Sequence, residues 1–89
     1  MAGDMAGSVT VRWFAAAGEA AGRADERLPL GEGTTTGDLL ARAVDAHGPA
    51  LGRVLAACSV LVDGRLDERR DQPLTDGVTI DVLPPFAGG

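Results

Sequence analysis

From Val9 to Phe14 the chain alternates, with Val9, Val11 and Trp13 falling on one face and Thr10, Arg12 and Phe14 on the other. A two-residue period of this kind predicts a half-buried strand. The same period returns from Val78 to Leu83, where Val78, Ile80 and Val82 alternate with Thr79, Asp81 and Leu83. Between these segments, Leu39, Leu40, Ala43, Val44 and His47 recur at helical spacing. The spacing predicts a helix that Thr36 caps, that holds Asp38 in its first turn, and that Gly48 and Pro49 stop.

The remaining segments are shorter. Ala15 to Gly22 reads as a loop or a short helical turn, and Asp25 to Leu30 as a second strand, which Pro29 confines to a sheet edge. Ala50 to Ala57 predicts a short second helix. Ser59 to Asp63 predicts an apolar strand, and Asp63-Gly64 a tight hairpin leading into Arg65 and Leu66. The charged run Asp67 to Asp71 reads as a solvated connection. Hairpin, helix, hairpin and last strand together predict an α+β domain in which one main helix lies across a mixed sheet. The two most apolar strands, first and last, belong side by side at the centre and parallel. That is the β-grasp, or ubiquitin-like, arrangement. Residues 1–7 are small and without period and read as a disordered leader, 8–83 as the single folded domain, and 84–89 as a flexible tail.

Eighty-nine residues suit one domain with a modest core. A hydrophobic share of 45% with 24% charged residues is that of a globular chain. The net charge of -5 disfavours recognition of nucleic-acid phosphates and favours a basic protein partner. All eight cationic side chains are Arg, so chemistry that needs an internal lysine, such as a Schiff base, is excluded. The lone Cys58 supports neither an internal disulfide nor a multi-cysteine metal site, and it reads as a small buried hydrophobe. With no apolar signal core and no membrane-length apolar run, a cytoplasmic location is expected. His47 reads as a structural residue closing a helix, and Trp13 as core.

The closing stretch LPPFAGG, Leu83 to Gly89, carries the candidate chemistry. Proline removes ladder donors and forbids helix, so Pro84-Pro85 directs the last strand outward. Seven extended residues span at most roughly 25 Å, enough to reach a site inside another protein. Gly88 and Gly89 then present a carboxylate free of nearby side chains, slim enough for a close-fitting channel. With a pKa near ~3.5 this group is ionised at neutral pH, nucleophilic toward phosphorus yet a poor acyl electrophile until activated. The sequence holds no phosphate-binding loop with lysine, so activation falls to another enzyme. Phe14 and Leu83, on the face opposite the core, and Leu66, just past the hairpin turn, form a candidate partner patch. Phe86 reads as an anchor for the partner's channel. A Gly-Gly end is also what an unconstrained terminus would show, and singly exposed Phe14 and Leu83 would need no partner.

The stretches VRWFAAAGEAAGRADERLPL, TTTGDLLARAV and LTDGVTIDVLPPFAGG together resemble the MoaD/ThiS family of ubiquitin-like sulfur carriers, most closely its molybdopterin synthase small-subunit branch. The resemblance spans nearly everything from Val9 to Gly89. It implies a β-grasp fold and a cycle at the Gly89 carboxylate. In that cycle an E1-like enzyme, using ATP and Mg2+, adenylates the terminus, and a sulfur donor turns it into a thiocarboxylate. The sulfur then passes to the large subunit of molybdopterin synthase, or to another sulfur-accepting enzyme. The resemblance places partner contacts at Phe14, Leu66 and Leu83, and it implies a co-substrate that binds no cofactor or metal of its own. Phe86 departs from the small aliphatic residue expected there. Delivery of sulfur to thiamin, cysteine or another metabolite, conjugation to lysines of other proteins, and a passive binding module are the alternatives.

Overall fold

The computed structural model describes residues 7–85. Its elements run β1 (Ser8–Trp13), α1 (Ala16–Ala21), β2 (Asp25–Pro29), α2 (Thr36–His47), α3 (Pro49–Leu55), β3 (Ser59–Val62), β4 (Arg65–Leu66) and β5 (Thr79–Leu83). The strands form one five-stranded sheet in the order β2-β1-β5-β3-β4. β1 and β5 pair in parallel, with Val11 beside Ile80 and Trp13 beside Val82. β3 closes on the other side of β5, antiparallel, with Val60 beside Val82. The strand carrying Pro29 is indeed an edge, where a missing donor costs no ladder bond.

Alternation sorts the sheet into two faces. Val9, Val11, Trp13, Val60, Val62, Ile80 and Val82 are buried on the inner face, where they meet Leu39, Leu40 and Ala43 of α2 and Leu51 and Leu55 of α3. Each fully buried aliphatic side chain there contributes on the order of 1.5–3 kcal/mol, so this single cluster is the main source of stability. Thr10, Arg12, Asp81 and Leu61 point the other way.

Several local features differ from the sequence reading. The cap of α2 is Thr35 rather than Thr36: the Thr35 hydroxyl accepts from the Asp38 amide at 3.2 Å, and Asp38 Oδ2 accepts from the Thr35 amide at 3.1 Å. That reciprocal box needs a three-residue spacing, which selects Thr35 from the run of three threonines and leaves Thr36 buried as the first helical residue. The segment Ala15 to Gly22 contains a true helix, α1, closed by Gly22 in the left-handed region. Gly7, counted with the leader, accepts a hydrogen bond from the Leu30 amide at 2.9 Å and so extends the β1–β2 pairing.

The Asp67–Asp71 connection is not merely solvated. Asp67 is buried, and its carboxylate accepts from the Gln72 amide. Arg70 turns back with φ 57° and donates to the carbonyls of Leu55, the last residue of α3, at 2.8 Å and of Cys58 at 2.7 Å, which fixes the turn from α3 into β3. Its own carbonyl accepts from Gly37 of α2 at 2.7 Å, an approach so close that a Cβ at position 37 would collide with it. One loop thereby ties two helices to the β3–β4 hairpin. At that hairpin Asp63 and Gly64, both with positive φ, make the tight turn that Asp-Gly predicted.

Candidate functional site

The outer face of the sheet is built from side chains that alternation forces away from the core. β5 places Asp81 and Leu83 there, β1 places Arg12, and Phe14 follows directly. The Phe14 amide donates to the Val82 carbonyl at 3.1 Å, which holds the backbone of Phe14 against β5 beyond the last paired residues, Trp13 and Val82. Phe14 and Leu83 are half-buried, and Leu66 is 54% exposed. These three sequence candidates share a face, but they are not contiguous by themselves. Leu66, on β4, is separated from β5 by the whole of β3.

Leu61 joins them. It stands opposite Leu66 on one side and Asp81 on the other, half-buried between the fully buried Val60 and Val62. Sequence reasoning named the apolar run of β3 but not this residue. The signal was present: when both neighbours of a strand residue are core, the residue between them faces outward. Leu66 and Leu61 stand side by side on β4 and β3, and Leu83 and Phe14 lie at one end of β5 and β1, with Asp81 opposite Leu61 and Ser59 opposite Leu83; Arg12, Asp25 and Arg27 occupy the half toward β2.

An ion pair marks the boundary. Arg12 Nε donates to Asp81 Oδ1 at 2.6 Å and Nη2 to Oδ2 at 2.8 Å, a two-point grip between paired residues of β1 and β5. The hydrogen bonds to Asp81, and then its charge, raise the already high pKa of Arg12 further. The Arg12 guanidinium carbon also lies 5.7 Å from the centre of the Phe14 ring.

Beneath the sheet a second polar group is internal to the fold. Trp13 Nε1 and His47 Nε2 both donate to Oε2 of Glu26, at 2.8 and 2.7 Å, and the two rings meet edge to face. The sequence reading of His47 as structural omitted this carboxylate partner. Cys58, the only cysteine, is buried and donates to the Val54 carbonyl; burial raises the pKa of its thiol, and Arg70 partly opposes that.

The last described residues are Leu83, Pro84 and Pro85, with Pro84 half-buried and Pro85 exposed. They lie at the same end of the sheet as Phe14, because β1 and β5 run in the same direction. The candidates Phe86, Gly88 and Gly89 lie outside the described residues.

The profile of the ThiS family matches residues 11–89. The chain belongs to that family. Among ThiS-family relatives, the molybdopterin synthase sulfur carrier subunit of Chlamydomonas reinhardtii is 35% identical over 82 residues, covering 91% of this chain and 98% of its own. SAMP1 of Haloferax volcanii, a small archaeal modifier protein, superposes with a TM-score of 0.79 at 31% identity, covering 93% of this chain and 100% of its own. A complex of subunits 1 and 2 of the molybdopterin-converting factor of Helicobacter pylori contains a chain with a TM-score of 0.60 and 28% identity, covering 92% and 99%. The five-stranded mixed sheet is therefore the β-grasp sheet of this ThiS-family protein.

Proposed function

We propose that this ThiS-family chain is the sulfur carrier of molybdopterin synthesis, a co-substrate and small subunit rather than a catalyst by itself. The Gly89 carboxylate attacks the α-phosphorus of ATP in an E1-like enzyme that supplies Mg2+, and pyrophosphate leaves. A sulfur donor displaces AMP to give a thiocarboxylate. The tail then enters the large subunit of molybdopterin synthase, where the sulfur is transferred and a carboxylate is restored. Phe14, Leu66 and Leu83 dock on that partner, Phe86 anchors the tail, and Gly88 keeps the reacting end slim. The whole cycle takes place in the cytoplasm.

The observation that carries this reading is the position of β5. It is the central strand, held by β1 on one side and β3 on the other, and it ends in Pro84-Pro85 beside the apolar outer face. A rigid base is thus joined directly to the segment that has to reach another protein. The Chlamydomonas relative and the two-subunit Helicobacter complex support the choice of pathway and of partner.

The test is intact-mass measurement after incubation with the E1-like enzyme, ATP and a sulfide source. One sulfur replacing one oxygen is expected, and no conversion would overturn the reading. The likeness to SAMP1 favours a second reading, conjugation to lysines of other proteins. It predicts, instead, a target protein whose mass rises by that of this chain.

A further inference from the structure

We propose that Arg12 and Asp81 are positioning residues, which set the Phe14 ring for docking on the large subunit of molybdopterin synthase; the inference rests on the docking reading above. Phe14 has a fixed backbone, because its amide is spent on Val82. Its ring lies on the outer face of the sheet, half-buried, with no ladder bond to hold the side chain. An aromatic anchor that has to select a rotamer on binding loses that freedom as affinity.

Arg12 supplies the missing constraint. A lone arginine at 52% side-chain exposure would sweep many rotamers, but both nitrogens of one guanidinium edge are held by Asp81, whose own side chain is only 15% exposed. Asp81 sits on the best-supported strand of the sheet, so the guanidinium plane inherits the order of the core. The ring of Phe14, two residues along on the same face, then rests 5.7 Å from a cation of fixed position. The pair also suits burial under a partner: each charge arrives already matched, so covering it leaves no unpaired ion.

Lysine cannot replace this arrangement, because an ammonium makes no planar two-point grip. Arg12→Lys tests geometry while keeping charge, and Asp81→Asn tests the grip from the other side.

The experiment measures binding of Arg12→Ala, Arg12→Lys, Asp81→Asn, Phe14→Ala and the Arg12→Ala/Phe14→Ala double variant to the cognate large subunit, with NMR of each free protein. Loss of one exposed cation–ring contact corresponds to about two- to fivefold weaker binding, expected for the first three variants. The double variant should bind no more weakly than Phe14→Ala alone, since Arg12 acts through the ring. In the free Arg12→Lys protein, nuclear Overhauser contacts between the Phe14 ring and side chain 12 should disappear while the core spectrum is unchanged. Full affinity in Arg12→Ala with loss in Phe14→Ala, or strictly additive losses, overturns the positioning role and leaves the docking reading intact. Full affinity in Phe14→Ala overturns both.

Discussion

Glu26 receives the indole N–H of Trp13 at 2.8 Å across neighbouring strands, an acidic residue and the largest core side chain fastened together under the sheet. His47 from the last turn of α2 shares the same carboxylate oxygen. Replacing Glu26 by Ala leaves a buried indole donor unpaired and releases the helix end. We expect destabilisation of about 2–3 kcal/mol, with Glu26→Gln costing less because its amide oxygen still accepts. Urea unfolding with an unchanged m-value checks this.

Arg70 binds the carbonyls of Leu55, the last residue of α3, and of Cys58, just before β3, with a charged donor. Arg70→Ala should cost about 2–3 kcal/mol, well above the effect of an ordinary surface arginine. Arg53→Ala, on an exposed position of α3, serves as the comparison and should stay within about 0.5 kcal/mol.

Ala15 occupies φ 50°, ψ -124°, a conformation that side chains with a Cβ avoid, at the turn joining β1 to α1. Glycine there adopts the same dihedrals without strain. Ala15→Gly should therefore stabilise the fold by up to about 1 kcal/mol despite the added freedom of the unfolded chain. Thermal unfolding reads the sign directly: a lower melting temperature would contradict the assignment of strain.

Leu61 links Leu66 to the centre of the outer face while contributing little to the core. Under the proposed docking, Leu61→Ser should leave the melting temperature nearly unchanged and weaken binding to the large subunit about tenfold, the cost of removing one buried apolar contact. Equal affinity would remove Leu61 from the interface.

Cys58 has a raised thiol pKa because burial disfavours the thiolate. The sign follows from proton counting. Above the unfolded value of about 8.5 the unfolded chain has lost the proton while the folded one keeps it, so the thiol's contribution to stability falls as pH rises toward the folded value. Alkaline titration of stability should be steeper for the wild type than for Cys58→Ala, and alkylation of the native thiol should accelerate only at higher pH than for a free peptide.

Periodicity carried most of the fold. Val9, Val11 and Trp13 at one end and Ile80 and Val82 at the other announced a shared inner face, and Asp63-Gly64 announced the hairpin, because each signal is written in adjacent residues. The partners of Glu26 and Arg70 were not legible, since 21 residues separate Glu26 from His47 and 12 separate Cys58 from Arg70. Arg70 also looked like one more charge in a charged run; only its left-handed backbone turns the side chain inward. On the outer face Phe14, Leu66 and Leu83 were readable from alternation. Leu61 follows from the same alternation only once Val60 and Val62 are known to be core, because a run of three apolar residues also reads as a continuous buried strand.

The placement of β5 between two ladders has a mechanical side. Force applied along Pro84, as when a bound tail is withdrawn from a tight channel, acts in line with the strand and loads its bonds to β1 and β3 together in shear, instead of peeling them open one at a time. A strand anchored this way yields only when bonds on both of its sides break together.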